Sequence, residues 1–146
     1  PDIQSWHVRS AASLDEVTAW IGSWASDWAT GRHANWAVTD PDTNDLLGRV
    51  SIKHIDVEGG EGGVAYWTMP HCRRRGVASR AVGALTRWAF REIGFHRLEL
   101  THSVHNTASC RVAVNTGFDL EGTKRAAGLH RDGWHDMHLH ARLADD

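Results

Sequence analysis

A chain of 146 residues with 16 basic against 18 acidic side chains, formal charge −2, is sized for a single domain, 1–146, with its own core. That charge balance excludes a globally basic nucleic-acid binder and a long acidic tail, so no nucleic-acid partner is expected. No apolar run approaches the roughly 20 residues of a membrane span and no signal segment opens the chain, while two cysteines, Cys72 and Cys110, are too few for a disulfide framework; a cytoplasmic protein without membrane association is expected.

The sequence starts at Pro1 rather than Met, and an N-terminal piece is expected to be missing. Ser13 to Glu16 has the Ser-x-x-Glu form of a capping box, and Val17, Trp20, Ile21, Trp24 and Trp28 then recur at helical spacing, as a core-facing stripe would. "NWAVTD" reads as extended and "DPDTNDLLG" as a turn. "GRVSIKHIDV" reads as a half-buried strand from the alternation of Val50, Ile52 and Ile55. "EGGEGG", 58–63, is a second turn, and "VAYWTMP" a third antiparallel strand stopped by Pro70. Residues 78–93 place Ala81, Val82, Leu85, Ala89 and Ile93 on one helical stripe, with Gly94 as a left-handed stop. A strand over 96–104, a short helix capped by Asn106 and stopped near Gly117, and two strands across the turn "AAGLHRDG" complete the chain. Each element has one apolar side to hide, which a mixed sheet with helices on its faces would do.

Between the third strand and the long helix stands "HCRRRGVAS". All but Lys53 and Lys124 of the basic residues are arginine, and Arg73, Arg74 and Arg75 are set against Gly76 at a helix start. The first helical amides have no intrahelical partner and carry the positive end of the helix dipole, so an anion is favoured there. Gly76 lets the backbone turn tightly, Ala78 and Ser79 are small, and the guanidinium groups add donors suited to a pyrophosphate. A solvated arginine turn is the alternative. The turn is neither a Walker A loop nor a Gly-x-Gly-x-x-Gly dinucleotide turn, which weakens ATP hydrolysis and NAD binding as functions.

Arg73-x-x-Gly76-x-Ala78 resembles the acyl-CoA pyrophosphate signature, Arg/Gln-x-x-Gly-x-Gly/Ala, of the GNAT superfamily of N-acyltransferases. "YWTMP", "WAFREIGFHRLEL", "NTASCRVAVNTGFDLEGTKR" and "DGWHDMHLHARL" are collinear with it and resemble the ribosomal-protein, RimJ/RimL-like branch from about Ser13 to Leu143. The resemblance implies an α/β (α+β) fold with a mostly antiparallel mixed sheet, helices on both faces, and a splayed strand pair holding acyl-CoA. It also implies a strand and helix ahead of residue 13, which this sequence is expected to lack.

By the same resemblance, Trp67, Thr68 and Met69 would hold the acyl and pantetheine part. Arg74, Arg75, Gly76, Val77, Ala78 and Ser79 would hold the pyrophosphate, Asn106 would lie near the pantetheine and Ser109 near the sulfur. The implied reaction is direct attack of a primary amine, for instance a protein N-terminus, on the thioester of acetyl-CoA, without metal or covalent intermediate. Ser109 is the candidate donor to the leaving thiolate. Many relatives carry a Glu where this chain has Gly63, and Glu99 is the substitute candidate for the base. A CoA-binding module without turnover and a domain for another polyanion are the alternatives, and a homodimer is a common arrangement for small enzymes.

His138 and His140 would share one side of a strand and His135 the other, leaving a His-x-His pair with no third ligand indicated; exposed sheet residues and no metal are expected. Cys72 lacks a His/Asp set for nucleophilic catalysis. Tyr66 and Trp134 are candidates for the acceptor cleft, with core packing as the alternative.

Overall fold

Ser13 caps the first helix through its Oγ, to which the Glu16 amide donates at 3.2 Å, and Glu16 Oε2 accepts from the Ala12 amide at 2.7 Å, one residue ahead of the usual capping-box partner. The structure, a computed structural model, describes residues 12–146, so the expectations attached to Pro1 and to the segment before the first helix lie outside the described residues. The helix, α1, spans Leu14–Ala29. Its stripe is not core: α1 has no buried residue, and Trp20, Ile21 and Trp28 are about half exposed. The reason is placement. α1 lies at the edge of the sheet, outside the core between the sheet and the other helices, so Trp28 reaches Trp36 and Trp88 while Trp20 and Trp24 flank the Arg49 guanidinium at 5.4 and 5.5 Å.

Six strands follow: β1 (Ala34–Thr39), β2 (Leu46–Asp56), β3 (Glu61–Thr68), β4 (Arg97–Ser103), β5 (Asp119–His130) and β6 (Gly133–Leu143). They form one sheet in the order β1-β2-β3-β4-β6-β5, antiparallel except for β3 beside β4. β2 is buried continuously from Gly48 to Lys53's neighbour Ile52, not by alternation, because both of its faces are covered at the middle of the strand. β3 begins inside the glycine tract expected as a turn. Gly62 has to be glycine there, since a Cβ would stand 2.6 Å from Ile52 Cγ2 and 3.2 Å from Phe95 Cε1. The last hairpin turns at Arg131 and Asp132 alone; "AAGLH" belongs to β5, where an irregular register between Lys124 and Gly128 is held by the Ala126 amide donating to Asp136 Oδ1 at 2.7 Å.

Helix α2 spans Val77–Trp88 and runs into a π turn, Ala89–Ile93, that ends at Gly94 with φ 82°. The wider turn rotates Ile93 off the stripe and leaves it 52% exposed. Helix α3, Thr107–Asn115, is capped by Asn106 Oδ1, which accepts the Ser109 amide at 3.1 Å. Val82, Leu85 and Ala89 pack with Ala113 and Phe118 against Val50, Ile52, Val64, Leu98 and Leu100, placing one core between the sheet and the α2–α3 pair. Arg49, beside Val50 on β2, points to the other face, where α1 meets it. This is the mixed α/β (α+β) sheet with flanking helices that the resemblance implied.

The histidines of β6 are not exposed sheet residues. His140 is 1% exposed, His138 is half-buried, and the His135 ring is covered and pairs with Ser103 Oγ at 2.8 Å. His138 and His140 share a face as expected, and His102 from β4 joins them there, opposite His138 in the register.

Candidate active site

β3 and β4 pair from Glu61↔Arg97 to Val64↔Leu100 and then part, so residues 65–68 keep hydrogen-bonded neighbours on the β2 side only. The strands open into a cleft of about 810 Å³ walled by the end of β3, the start of α2 and the start of α3. The chain enters the α2 wall through a tight sequence of bonds. The Met69 amide donates to Leu47 O at 2.8 Å, a single 3-10 turn takes Pro70–Cys72, and Arg74 and Gly76 then adopt left-handed φ of 61° and 71°. Arg80 Nη1 closes the turn by donating to Arg75 O at 3.0 Å.

The first intrahelical bond of α2 runs from the Arg80 amide to Gly76 O, at 3.0 Å. The amides of Val77, Ala78 and Ser79 therefore have no intrahelical acceptor, and all three residues line the cleft. Two left-handed residues within three positions turn successive amides to one side, and with the helix dipole and the Arg73 and Arg74 side chains this makes a concave anion cradle. Arg75 is exposed outside the cleft, and Met69 flanks it without lining it.

The facing wall carries amide and hydroxyl side chains. Asn106 and Ser109 line it from α3, with Tyr66 opposite on β3. The Tyr66 hydroxyl is buried and makes no hydrogen bond of full geometry, and burial pushes its pKa up to about 12 although the nearby Ser109 side chain pulls the other way. A phenol held neutral beside a hydroxyl is a pair able to donate to an anion. Trp67 and Thr68 lie on the unpaired stretch of β3, whose free edge is open to an amide-bearing ligand laid alongside as an added strand would be.

The structure thus brings Trp67, Thr68, Arg74, Gly76, Val77, Ala78, Ser79, Asn106 and Ser109 to one cleft. It does not bring Glu99. That side chain alternates with Leu98 and Leu100, faces away from the core side of the sheet, and accepts from Arg97 Nε at 3.2 Å and Nη2 at 2.9 Å. Trp134 is 65% exposed on the last hairpin and is not a cleft residue, whereas Tyr66 is. Cys72 lines the cleft from a buried position. Sequence reasoning missed His105 and Arg111 as cleft residues. Arg111 lies one helical turn after Thr107, a spacing that would have shown it on the same side of α3.

A family model for the acetyltransferase (GNAT) domain matches residues 1–119. The ribosomal-protein-serine acetyltransferase of Escherichia coli (strain K12) is 28% identical over 102 residues, covering 70% of this chain and 57% of that protein, so the chain spans little more than half the length of that relative. Among solved structures, the ribosomal-protein-S5-alanine acetyltransferase from Vibrio fischeri superposes with a TM-score of 0.90 at 20% identity, over 99% of this chain and 81% of that one. The RimL ribosomal L7/L12 alpha-N-protein acetyltransferase, in complex with coenzyme A, superposes with a TM-score of 0.89 at 23% identity, over 97% of this chain and 80% of that one. Its splayed strands, its anion cradle and the match over most of its length together establish that the chain belongs to the GNAT acetyltransferase family.

Proposed function

We propose that the protein transfers an acetyl group from acetyl-CoA to a primary amine, with the N-terminal amine of a protein as the acceptor class. One observation carries the reading: the unpaired edge of β3 leads directly to the uncapped amides of α2 among arginines, which is a slot for an amide-bearing arm that ends in a pyrophosphate. The acceptor class rests on the names of the relatives, all three of which name ribosomal proteins.

Arg74 and the amides of Val77, Ala78 and Ser79 hold the pyrophosphate, Trp67, Thr68 and Asn106 the pantetheine, and Met69 and Arg75 border these contacts. The amine nitrogen attacks the thioester carbonyl, the carbon–sulfur bond breaks, and the leaving thiolate accepts a hydrogen bond from Ser109, with the neutral Tyr66 hydroxyl behind it, until it takes a proton from solvent. The proton lost by the amine goes to solvent or to His105, the imidazole among the cleft-lining residues. The two free cysteines fit a cytoplasmic setting.

A CoA-binding module without turnover is the second reading, favoured by the absence of any carboxylate among the described residues that line the cleft. Calorimetric titration with CoA, followed by thiol release from acetyl-CoA across a panel of peptides and small amines, separates the two. Saturable CoA binding with amine-dependent thiol release is expected; binding without release under every amine leaves the module, and no binding overturns both.

A further inference from the structure

Beyond Leu100 the core face of the sheet continues in histidines instead of aliphatic side chains. His102 of β4 lies opposite His138 of β6, His140 stands two residues further along β6 on the same side, and Cys110 comes onto them from α3. One donor atom from each residue, three imidazole nitrogens and a thiol sulfur, lies within 4.8 Å of all the others. A tetrahedral zinc centre has Zn–N near 2.0–2.1 Å and Zn–S near 2.3 Å, which places its donors roughly 3.3–3.6 Å apart. The widest pair has to close by about 1 Å, within reach of side-chain rotation at the half-buried Cys110 and His138.

The surrounding hydrogen bonds decide which nitrogens face inward. His102 Nδ1 lies 2.8 Å from Ser103 O, and His140 Nδ1 lies 3.2 Å from Phe118 O. A carbonyl only accepts, so each Nδ1 carries the ring proton and each Nε2 presents a lone pair. Those two Nε2 atoms are 3.2 Å apart, in rings only 5% and 1% exposed. Two lone pairs at that separation repel unless a positive centre lies between them. A ring N–H donated to a backbone carbonyl is also the contact that orients imidazoles bound to metals. His138 adds a buried Nδ1 without a hydrogen-bond partner, and Cys110 is a free thiol.

We propose that His102, Cys110, His138 and His140 form a closed site for one zinc-like divalent ion. Four protein donors leave no open position, so the ion's role is structural. It ties α3, which carries Asn106 and Ser109 next to Cys110, to β4 and β6. Binding releases the Cys110 thiol proton to solvent, while the Nε2 atoms of His102 and His140, whose Nδ1 atoms face carbonyls, offer lone pairs. A proton shared by the two Nε2 atoms would relieve the same repulsion, and it would leave no metal signature. The proposal is independent of acetyl transfer.

The test is titration of the full chain, stripped with a chelator and kept reduced, first with Co²⁺ and then with Zn²⁺. One equivalent of Co²⁺ is expected to produce tetrahedral d–d absorption and a near-ultraviolet thiolate-to-cobalt band, both erased by one equivalent of Zn²⁺. Zn²⁺ is expected to raise the melting temperature, as a ligand of the folded state alone does. Cys110→Ser should remove the thiolate band and, like His138→Gln, weaken binding at least tenfold, since loss of a mere supporting group costs about 10–100-fold. His96→Gln, at an exposed position, should change nothing. A wild-type chain that is folded by circular dichroism and takes up no stoichiometric Co²⁺ overturns the site without recourse to variants. So does a cobalt spectrum unaltered in Cys110→Ser and His138→Gln.

Discussion

At φ 71° Gly76 occupies backbone space that an L side chain enters only at a cost of about 1 kcal/mol or more, and a Cβ there would stand 3.4 Å from Arg80 Nη1. Gly76→Asp adds to that strain a negative charge beside the proposed pyrophosphate position. CoA affinity measured by calorimetry should fall at least 100-fold, and unchanged affinity would remove the cradle from the α2 turn. Ser109 acts at a different moment. In the proposed reaction its hydroxyl would meet the sulfur only as the carbon–sulfur bond breaks, so Ser109→Ala should lower kcat about 10–100-fold while leaving the KM for acetyl-CoA nearly unchanged. Steady-state kinetics showing the loss in KM instead would make Ser109 a binding residue. Gly76 was legible in the sequence as a glycine at a helix start among arginines, whereas Ser109 was named only through the family resemblance. Glu99 was not legible, because which face a strand residue shows depends on what the strand packs against.

Two glycines separate local from tertiary demands at the scale of the element. Gly22 lies within α1, and a Cβ there would meet nothing within 4 Å. Gly22→Ala should stabilise by about 0.5–1 kcal/mol through backbone entropy alone, a rise of roughly 2–4 °C in Tm. Gly62 in β3 has Ile52 Cγ2 2.6 Å from any added Cβ, so Gly62→Ala should destabilise by about 1–3 kcal/mol in urea melts. A sequence reading treats both as turn-forming or helix-weakening residues. The span 58–63 reads as a turn for that reason, and only the closeness of Ile52 and Phe95 shows why part of it is strand. The Trp stripe of α1 makes the same point from the opposite direction: its helical spacing was correct, and its burial depended on an edge position in the sheet that periodicity does not encode.

Across the whole molecule, Arg97 of β4 reaches past β6 to Glu121 of β5 while also holding Glu99. The Arg97 hydrogen bond and charge hold the Glu121 carboxyl below its ordinary 4.5, and Glu121 with Glu99 raises the Arg97 pKa. A depressed carboxyl stabilises the fold fully above its unfolded pKa and loses that contribution as the pH falls through the lower folded value. Glu121 is exposed, so the effect is modest and salt-sensitive. Arg97→Gln should flatten the loss of stability below pH 4.5 in low salt, as read by denaturant melts across pH; an unchanged acid slope would show that the pair contributes nothing. By itself the sequence determined the order of helices and strands, both helix caps and the arginine–glycine turn, since these rest on dihedral preferences and on groups a few residues apart. Only the tertiary structure decided that Glu99 turns from the cleft, that Tyr66 enters it, and that His102 meets His138, His140 and Cys110. Those meetings join distant segments through the order β4-β6-β5 and the seat of α3 upon it, and a period-two pattern specifies a strand's two faces without specifying its neighbours.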